Sequence, residues 1–389
     1  MDIIADGYSL AGVPFVYWLL RSCLVLVMIY CGRKIANRDG SEFWKYAKWI
    51  VLFYTVVEGL RWGRGNDYYH YWYDVTKADF TVYSDPLYLW WIHIVRALDI
   101  PFVIPFSIYS CLLITGVTLV VKRFPKSAVW SYLLFEWLIT VSAENFIRQY
   151  IGVAFILIAF YYYLNDGENK KVMMFAALIT ASLIHLSALL PVTLFLLFIY
   201  IPKIEKALIP WIYIGLYCVF FFLWDNSYLS EYVAYLTLLD SDVLGSFSSY
   251  VDNADRWFSD AGVLEDYAAA SLVTSVMTFL RNLYVLYFGC KFAAIDKRYI
   301  VPFFFTFLSI LIYIIGGGGN EMFVRFSHWH AVMLPIMMGC IIAYYPFEKK
   351  YGRYTGYLYM LYILYSFVRS FSLDVPCAFI WDVNVSIFQ

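Results

Sequence analysis

The sequence predicts an all-α fold, a polytopic transmembrane helical bundle, on three observations. Its 389 residues are 62% hydrophobic and only 15% charged, against about 45–50% and about 25% in soluble domains. Its mean hydropathy is +0.67. Its apolar residues run in continuous blocks close to the ~20 residues that cross a bilayer as a helix. Continuous blocks exclude an outer-membrane barrel, whose strands alternate apolar and polar positions. The composition equally excludes a soluble enzyme, a disordered chain and a nucleic-acid binder. Seven cysteines, mostly inside apolar runs and without a CxxC pair, make no disulfide framework. Residues 1–10 carry Asp2 and Asp6 but no Lys or Arg, so they do not read as a cleavable signal peptide.

The spans follow in order: 11–31, 44–60, 100–121, 127–143, 145–164, 171–188, 190–202, 208–224, 268–290, 299–315, 327–345 and 354–371. Pro86 to Leu98 is apolar but short, and reads as an interfacial or re-entrant helix. Short-loop Lys and Arg mark the cytoplasmic side. They follow span one (Arg33, Lys34, Arg38, Lys45, Lys48), span three (Lys122, Arg123, Lys126) and span five (Lys170, Lys171). Further clusters are Lys203 with Lys206, Lys291 with Lys297 and Arg298, and Lys349 with Lys350 and Arg353. Keeping all of them inside gives about 12 crossings, both termini outside, and a hairpin of two short helices over 171–202 with its tip at His185 to Leu190. The whole chain, 1–389, is then one integral membrane domain.

This topology sorts the charges. The cytoplasmic clusters take 13 lysines and 5 arginines, which leaves one lysine, Lys77, and nine arginines for the outer side and the membrane interior. A guanidinium suits a planar, forked grip on phosphate or carboxylate, for which an ammonium is a poor substitute. The bland alternative is that each arginine pairs with a nearby carboxylate or snorkels to the interface. Arg21 and Arg281 fall in mid-span, where a charge is costly and faces a polar interior.

Four motifs concentrate chemistry. The first, Arg61-Trp62-Gly63-Arg64-Gly65-Asn66-Asp67-Tyr68-Tyr69-His70-Tyr71, stands at the outer end of span two. Its glycines admit close approach of a ligand to the backbone, Asp67 is a proton acceptor or hydroxyl-binding group, and its aromatics stack on sugars or form an interfacial belt. The second, Glu144-Asn145-Phe146-Ile147-Arg148-Gln149, opens span five, where a helix N-terminus favours an anion and Asn145 also suits a cap. The third, Ile184-His185-Leu186-Ser187-Ala188, puts an imidazole at the hairpin tip, as a structural residue or as a base for a hydroxyl proton. The fourth is the run Gly316 to Gly319 followed by Arg325, His328 and His330. It lacks P-loop spacing, and two histidines two positions apart diverge on a helix, so no metal site is expected. The acidic, tyrosine-rich segment Asp225 to Tyr267 is too long for a structureless connection and reads as an extracytoplasmic lid over carbohydrate.

In Arg64-Gly65-Asn66-Asp67, Asn145-Phe146-Ile147-Arg148-Gln149, Ile184-His185-Leu186-Ser187-Ala188 and Arg325 before Leu334-Pro335, the chain resembles the EpsG family, akin to the Wzy polymerases of bacterial surface polysaccharides. The resemblance implies a metal-independent, cofactor-free glycosyltransferase of C-type, all-helical fold in the bacterial plasma membrane. Its substrate would be an undecaprenyl-diphosphate-linked oligosaccharide, and its partners the lipid bilayer, a flippase and a chain-length regulator. On that basis Arg64, Arg148, Arg325 and Arg281 bind diphosphate. His185 or Asp67 is the base, and Asn145, Gln149, Asn66 and Tyr68 position the substrate. The rivals are a flippase or exporter of the same lipid-linked sugars, which would show internal repeats and a polar path across the membrane, and an O-antigen-ligase-like transferase.

Overall fold

The structure is a computed structural model and describes residues 14–38, 41–65, 67–77, 85–165, 167–224, 272–316, 321–344, 361, 365 and 378–382. Asn66 and the predicted lid 225–267 lie outside the described residues, as do Gly317 to Gly319 and most of the last predicted span. The described chain is helical, with no strand among the described residues beyond one antiparallel bridge between Arg61 and Phe379.

The helices are α1 (Pro14–Asn37), α2 (Phe43–Gly59), α3 (Tyr68–Thr76), α4 (Pro86–Ala97), α5 (Val103–Arg123), α6 (Ala128–Leu138), α7 (Thr140–Asn145) and α8 (Ile147–Tyr163). Then come α9 (Lys170–Ile184), α10 (Leu189–Tyr200), α11 (Pro210–Leu223), α12 (Leu272–Ile295), α13 (Ile300–Ile315), α14 (Glu321–Ala331) and α15 (Met333–Tyr344). Prolines stand where a helix tolerates them: Pro86 and Pro210 begin α4 and α11, and Pro105 and Pro302 lie in the first turns of α5 and α13. Pro335 is different. It has no N–H for the Ala331 carbonyl and its ring would strike that carbonyl. Predicted span 327–345 accordingly appears as α14 and α15, bent by 42° at Val332.

Among the described residues, three helical stretches are long and apolar enough to cross a bilayer: Phe15–Asn37, Val103–Arg123 and Lys297–Ile315, with the bent pair α14–α15 a fourth when taken as one broken span. Predicted span 127–143 divides instead into α6 and the short α7, broken at Ile139. The short helix α4 has 12 residues, about 18 Å at 1.5 Å per residue, less than the ~30 Å hydrocarbon core.

The chain divides into two compact units, 1–193 with 338–389, and 194–337. In the first, α1 packs on α2 and α6, α2 on α5, and α8 on both α5 and α9. Small residues bring these helices close, as membrane helices use them. A Cβ on Gly32 would stand 2.9 Å from the Val129 Cα, and one on Gly116 2.9 Å from the Ala154 carbonyl oxygen. In the second unit, α12 packs against α11 and α13, and α13 against α14. Phe198 stacks on Phe304 at 4.6 Å within its core. Asp296 caps the turn before α13: its burial opposes ionisation, but the Arg298 N–H and guanidinium donate to it and hold its carboxyl below the ordinary range.

Polarity is distributed as lipid demands. Large apolar side chains such as Phe15, Trp90, Val172 and Leu223 are exposed, while Arg21, Glu58, Arg64, Glu136 and Glu144 are buried. Water would reverse that preference; hydrocarbon outside enforces it.

Candidate active site

The interior of the first unit is organised by charge. Arg21, on α1, donates from Nη1 to Glu58 of α2 at 3.0 Å and to Glu136 of α6, from Nη2 to Glu144 of α7 at 3.2 Å, and from Nε to the Tyr17 hydroxyl at 3.2 Å. Glu136 of α6 and Thr140 and Glu144 of α7 follow one another at intervals of four, and the Thr140 hydroxyl donates to Glu136 at 3.0 Å. Burying one such charge is very costly unless it is paired and hydrogen-bonded. Here three guanidiniums, Arg21, Arg61 and Arg64, meet three carboxylates, Glu58, Glu136 and Glu144.

The loop after α2 is built onto that cluster. Arg64 pairs with Glu144 at 3.1 Å and Glu58 at 3.7 Å, and its guanidinium lies between the rings of Tyr17 and Phe379, 5.1 and 5.0 Å from their centroids. Arg61 donates to the Glu58 carbonyl at 2.6 Å and lies over the rings of Tyr68 and Phe106. Residues 378–382 pin the loop: Trp62 N–H donates to the Ala378 carbonyl at 2.9 Å and Ile380 N–H to that of Leu60 at 3.1 Å. Gly63 and Gly65 take φ of 63° and 95°, a region closed to most side chains. Gly65 also abuts the α7–α8 junction, where a Cβ would come within 2.5 Å of the Glu144 carbonyl oxygen.

That contact joins the first motif to the second. Asn145 Oδ1 accepts from the Asp67 backbone N–H at 3.1 Å, across 78 residues of sequence. Three residues on, Arg148 Nη1 lies 2.8 Å from Asp85 Oδ2, with its guanidinium over the Tyr88 ring. Asp85 continues the chain of contacts into the third motif, since its Oδ1 accepts from the Leu186 N–H at 2.7 Å. Beside it, at a helix break with φ −151° and ψ 114°, His185 shares a 3.1 Å hydrogen bond between Nδ1 and Ser187 Oγ. With Nδ1–H donating to Ser187, Nε2 carries the lone pair that a base requires. A small cleft lies among Tyr54, Glu58, Arg61, Tyr109, Ser110 and Glu144.

Of the residues singled out in the sequence, Arg64, Asp67, Tyr68, Asn145, Arg148, Gln149 and His185 all fall in the first unit. Asp67, Asn145, Arg148 and His185 are half-buried. Arg64 is 1% exposed, Gln149 is buried, and Tyr68 is fully buried with its hydroxyl donating to the Arg61 carbonyl. Arg281 and Arg325 belong to the second unit. Arg281 donates there from Nε and Nη2 to Asn282 Oδ1, whose amide nitrogen donates to the Tyr217 hydroxyl. His330 bonds through Nδ1 to the Phe326 carbonyl.

Glu58, Glu136 and Asp85 escaped the motif reading. The first two carried a signal, a carboxylate inside an apolar span, which is costly enough to need a partner. Asp85 carried none, because its partners are 63 and 101 residues away.

A helical membrane protein that clamps a Gly-Arg-Gly loop against a buried arginine–carboxylate cluster, with an ion-paired Arg and a His corner alongside, is the class defined by this fold and site. Residues 44–379 match the EpsG family, and the chain belongs to it. No curated protein and no solved structure gives a significant match.

Proposed function

We propose that this protein polymerises lipid-diphosphate-linked oligosaccharide repeat units into a surface polysaccharide, at the outer face of a bacterial plasma membrane. Membership of the EpsG family supports a polymerase-like function in surface polysaccharide synthesis. The observation that carries the reading is the joining of three motifs distant in sequence by Asn145–Asp67 and Arg148–Asp85–Leu186 contacts.

In the reaction, an acceptor sugar hydroxyl attacks the anomeric carbon of the donor. A C–O bond forms, the anomeric C–O bond to diphosphate breaks, and undecaprenyl diphosphate leaves with the electron pair. The hydroxyl proton passes to His185 or Asp67, both half-buried beside the junction. Arg148 stabilises the charge gathering on the diphosphate, and so takes the part that a metal ion plays in other transferases. Arg64 reaches a ligand directly only by opening its pair with Glu144, so its first duty is to hold the loop that carries Asp67. Asn145, Gln149, Asn66 and Tyr68 orient the substrate or its loop. The finer topology belongs to the same proposal: about 12 crossings, both termini outside, residues 225–267 as a lid, and a flippase and a chain-length regulator as partners.

Deletion of the gene tests the reading. Cells lacking a polymerase display single repeat units outside, whereas cells lacking a flippase accumulate them inside. Rescue with Arg148→Lys, Asp67→Ala and His185→Ala then examines the roles. Long polymer at normal level and length from Arg148→Lys removes the forked grip from that position.

A further inference from the structure

The reaction needs the diphosphate grip and the base held at a fixed separation, since small misplacements of reacting groups are expensive. The side chain suited to set that separation is Asp85. It is 4% exposed and stands immediately before α4, with Pro86 as the first residue of that helix. One carboxylate oxygen faces Arg148 Nη1 at 2.8 Å, and the other accepts the Leu186 N–H at 2.7 Å. A single carboxylate thus ties α8 to the corner where α9 ends at His185. The residue next to it in the network is also fixed: Tyr88, one turn along α4, lies under the Arg148 guanidinium and donates its hydroxyl to Asp74 at 3.3 Å.

We propose that Asp85 is a positioning residue that holds the Arg148 guanidinium and the His185–Leu186 corner in register, so that diphosphate binding and proton removal meet at one place. The inference rests on the polymerase reading for the roles of Arg148 and His185. Asp85 touches neither donor nor acceptor. Its carboxylate neutralises Arg148 before the donor arrives and orients the guanidinium for the anion. Through Leu186 it also keeps the backbone of the base's corner in place. Its loss therefore impairs turnover more than donor affinity.

Backbone geometry provides a variant that separates the two halves. His185 is extended, as the residue before a proline must be, and Leu186 opens a 3-10 turn. Leu186→Pro thus deletes the N–H that Asp85 accepts and leaves the Asp85–Arg148 pair intact. Leu186→Ala keeps the N–H and is the matched control.

The test uses the full-length protein in lipid nanodiscs. Binding is measured with undecaprenyl diphosphate as the probe. Turnover is measured with lipid-linked repeat unit extracted from cells lacking the protein, and folding by thermal unfolding. Arg148→Ala is expected to weaken probe binding about tenfold or more. Asp85→Asn and Leu186→Pro are expected to bind it within about threefold of the parent while turnover falls about tenfold or more, the scale of supporting-residue losses elsewhere. Asp85→Glu should recover part of the rate, and Leu186→Ala should keep it. Parental turnover by folded Leu186→Pro overturns the proposal, as does an equal loss of affinity and turnover in Asp85→Asn and Leu186→Pro. Should Asp85→Asn not fold, Leu186→Pro decides alone. Parental probe binding by Arg148→Ala overturns the diphosphate-grip reading itself, a separate failure.

Discussion

Replacing Arg21 by methionine is the sharpest probe of how this fold carries charge. The substitution keeps an unbranched, though shorter, side chain and removes one guanidinium from a cluster of three guanidiniums and three carboxylates. Among the described residues Glu136 pairs with no other basic side chain, while Glu58 and Glu144 keep Arg64. Each lost contact is worth roughly 4 kcal/mol of Coulomb energy at about 4 Å and an effective dielectric of about 20. Most of that gross sum is offset, because the guanidinium no longer has to be desolvated. Removing one partner of a buried pair costs about 3–5 kcal/mol net, or a rise of about 10² to 10⁴ in the unfolded ratio. The assay is denaturant unfolding of purified protein in mixed micelles. A second variant checks the cause. Adding Glu136→Leu to Arg21→Met removes the most isolated carboxylate, and the pair should be coupled by about 1–3 kcal/mol in the stabilising direction. An unchanged midpoint for Arg21→Met, or strict additivity in the double variant, would refute the view that Arg21 is the charge that these carboxylates require.

Three further outcomes follow from the geometry. Gly65→Ala should abolish polymer formation, because the new Cβ meets the Glu144 carbonyl at 2.5 Å in a backbone of φ 95°, whereas Gly215→Ala, with nothing within 4 Å, should be silent in the same gel assay. Phe379→Ala removes one ring from the pair enclosing Arg64, 5.0 Å from its guanidinium. It should cost about 3–5 kcal/mol in unfolding experiments as a large-to-small core change, and more than Trp381→Ala, whose ring is half exposed. Cysteines at Lys206 and Lys297 should resist a membrane-impermeant thiol reagent added to intact cells, and one at His70, an exposed residue of α3, should react; the opposite pattern inverts the proposed orientation.

The α6–α7 region shows what sequence carries and what it lacks. Glu136, Thr140 and Glu144 at four-residue spacing in an apolar stretch mark a polar face on a buried helix, and that much is readable from periodicity. That the face meets Arg21, 115 residues from Glu136, is not. The same holds at Asp85, a carboxylate before a Pro-initiated helix whose local signal is only that of a helix start. Sequence separates nine outer and interior arginines from the cytoplasmic ones and sets Arg21 and Arg281 in mid-span; three of the nine, Arg21, Arg61 and Arg64, serve an internal charge cluster.

Sequence alone carries the apolar surroundings and the helical character of this protein. Hydrophobic blocks, lysine clusters and proline placement act over tens of residues or fewer, and every such signal lies within the segment that it governs. It also carried the family, because Arg-Gly-Asn-Asp, Asn-Phe-Ile-Arg-Gln and Ile-His-Leu-Ser-Ala are local strings. Only the tertiary structure decided which carboxylate neutralises which guanidinium, that residues 378–382 pin the arginine loop, and that Asp85 joins Arg148 to the corner of His185. The physical reason is the low dielectric inside the bundle. It makes an unpaired charge very costly there, so partners are chosen by which helices pack together, and that choice is a property of the folded chain as a whole.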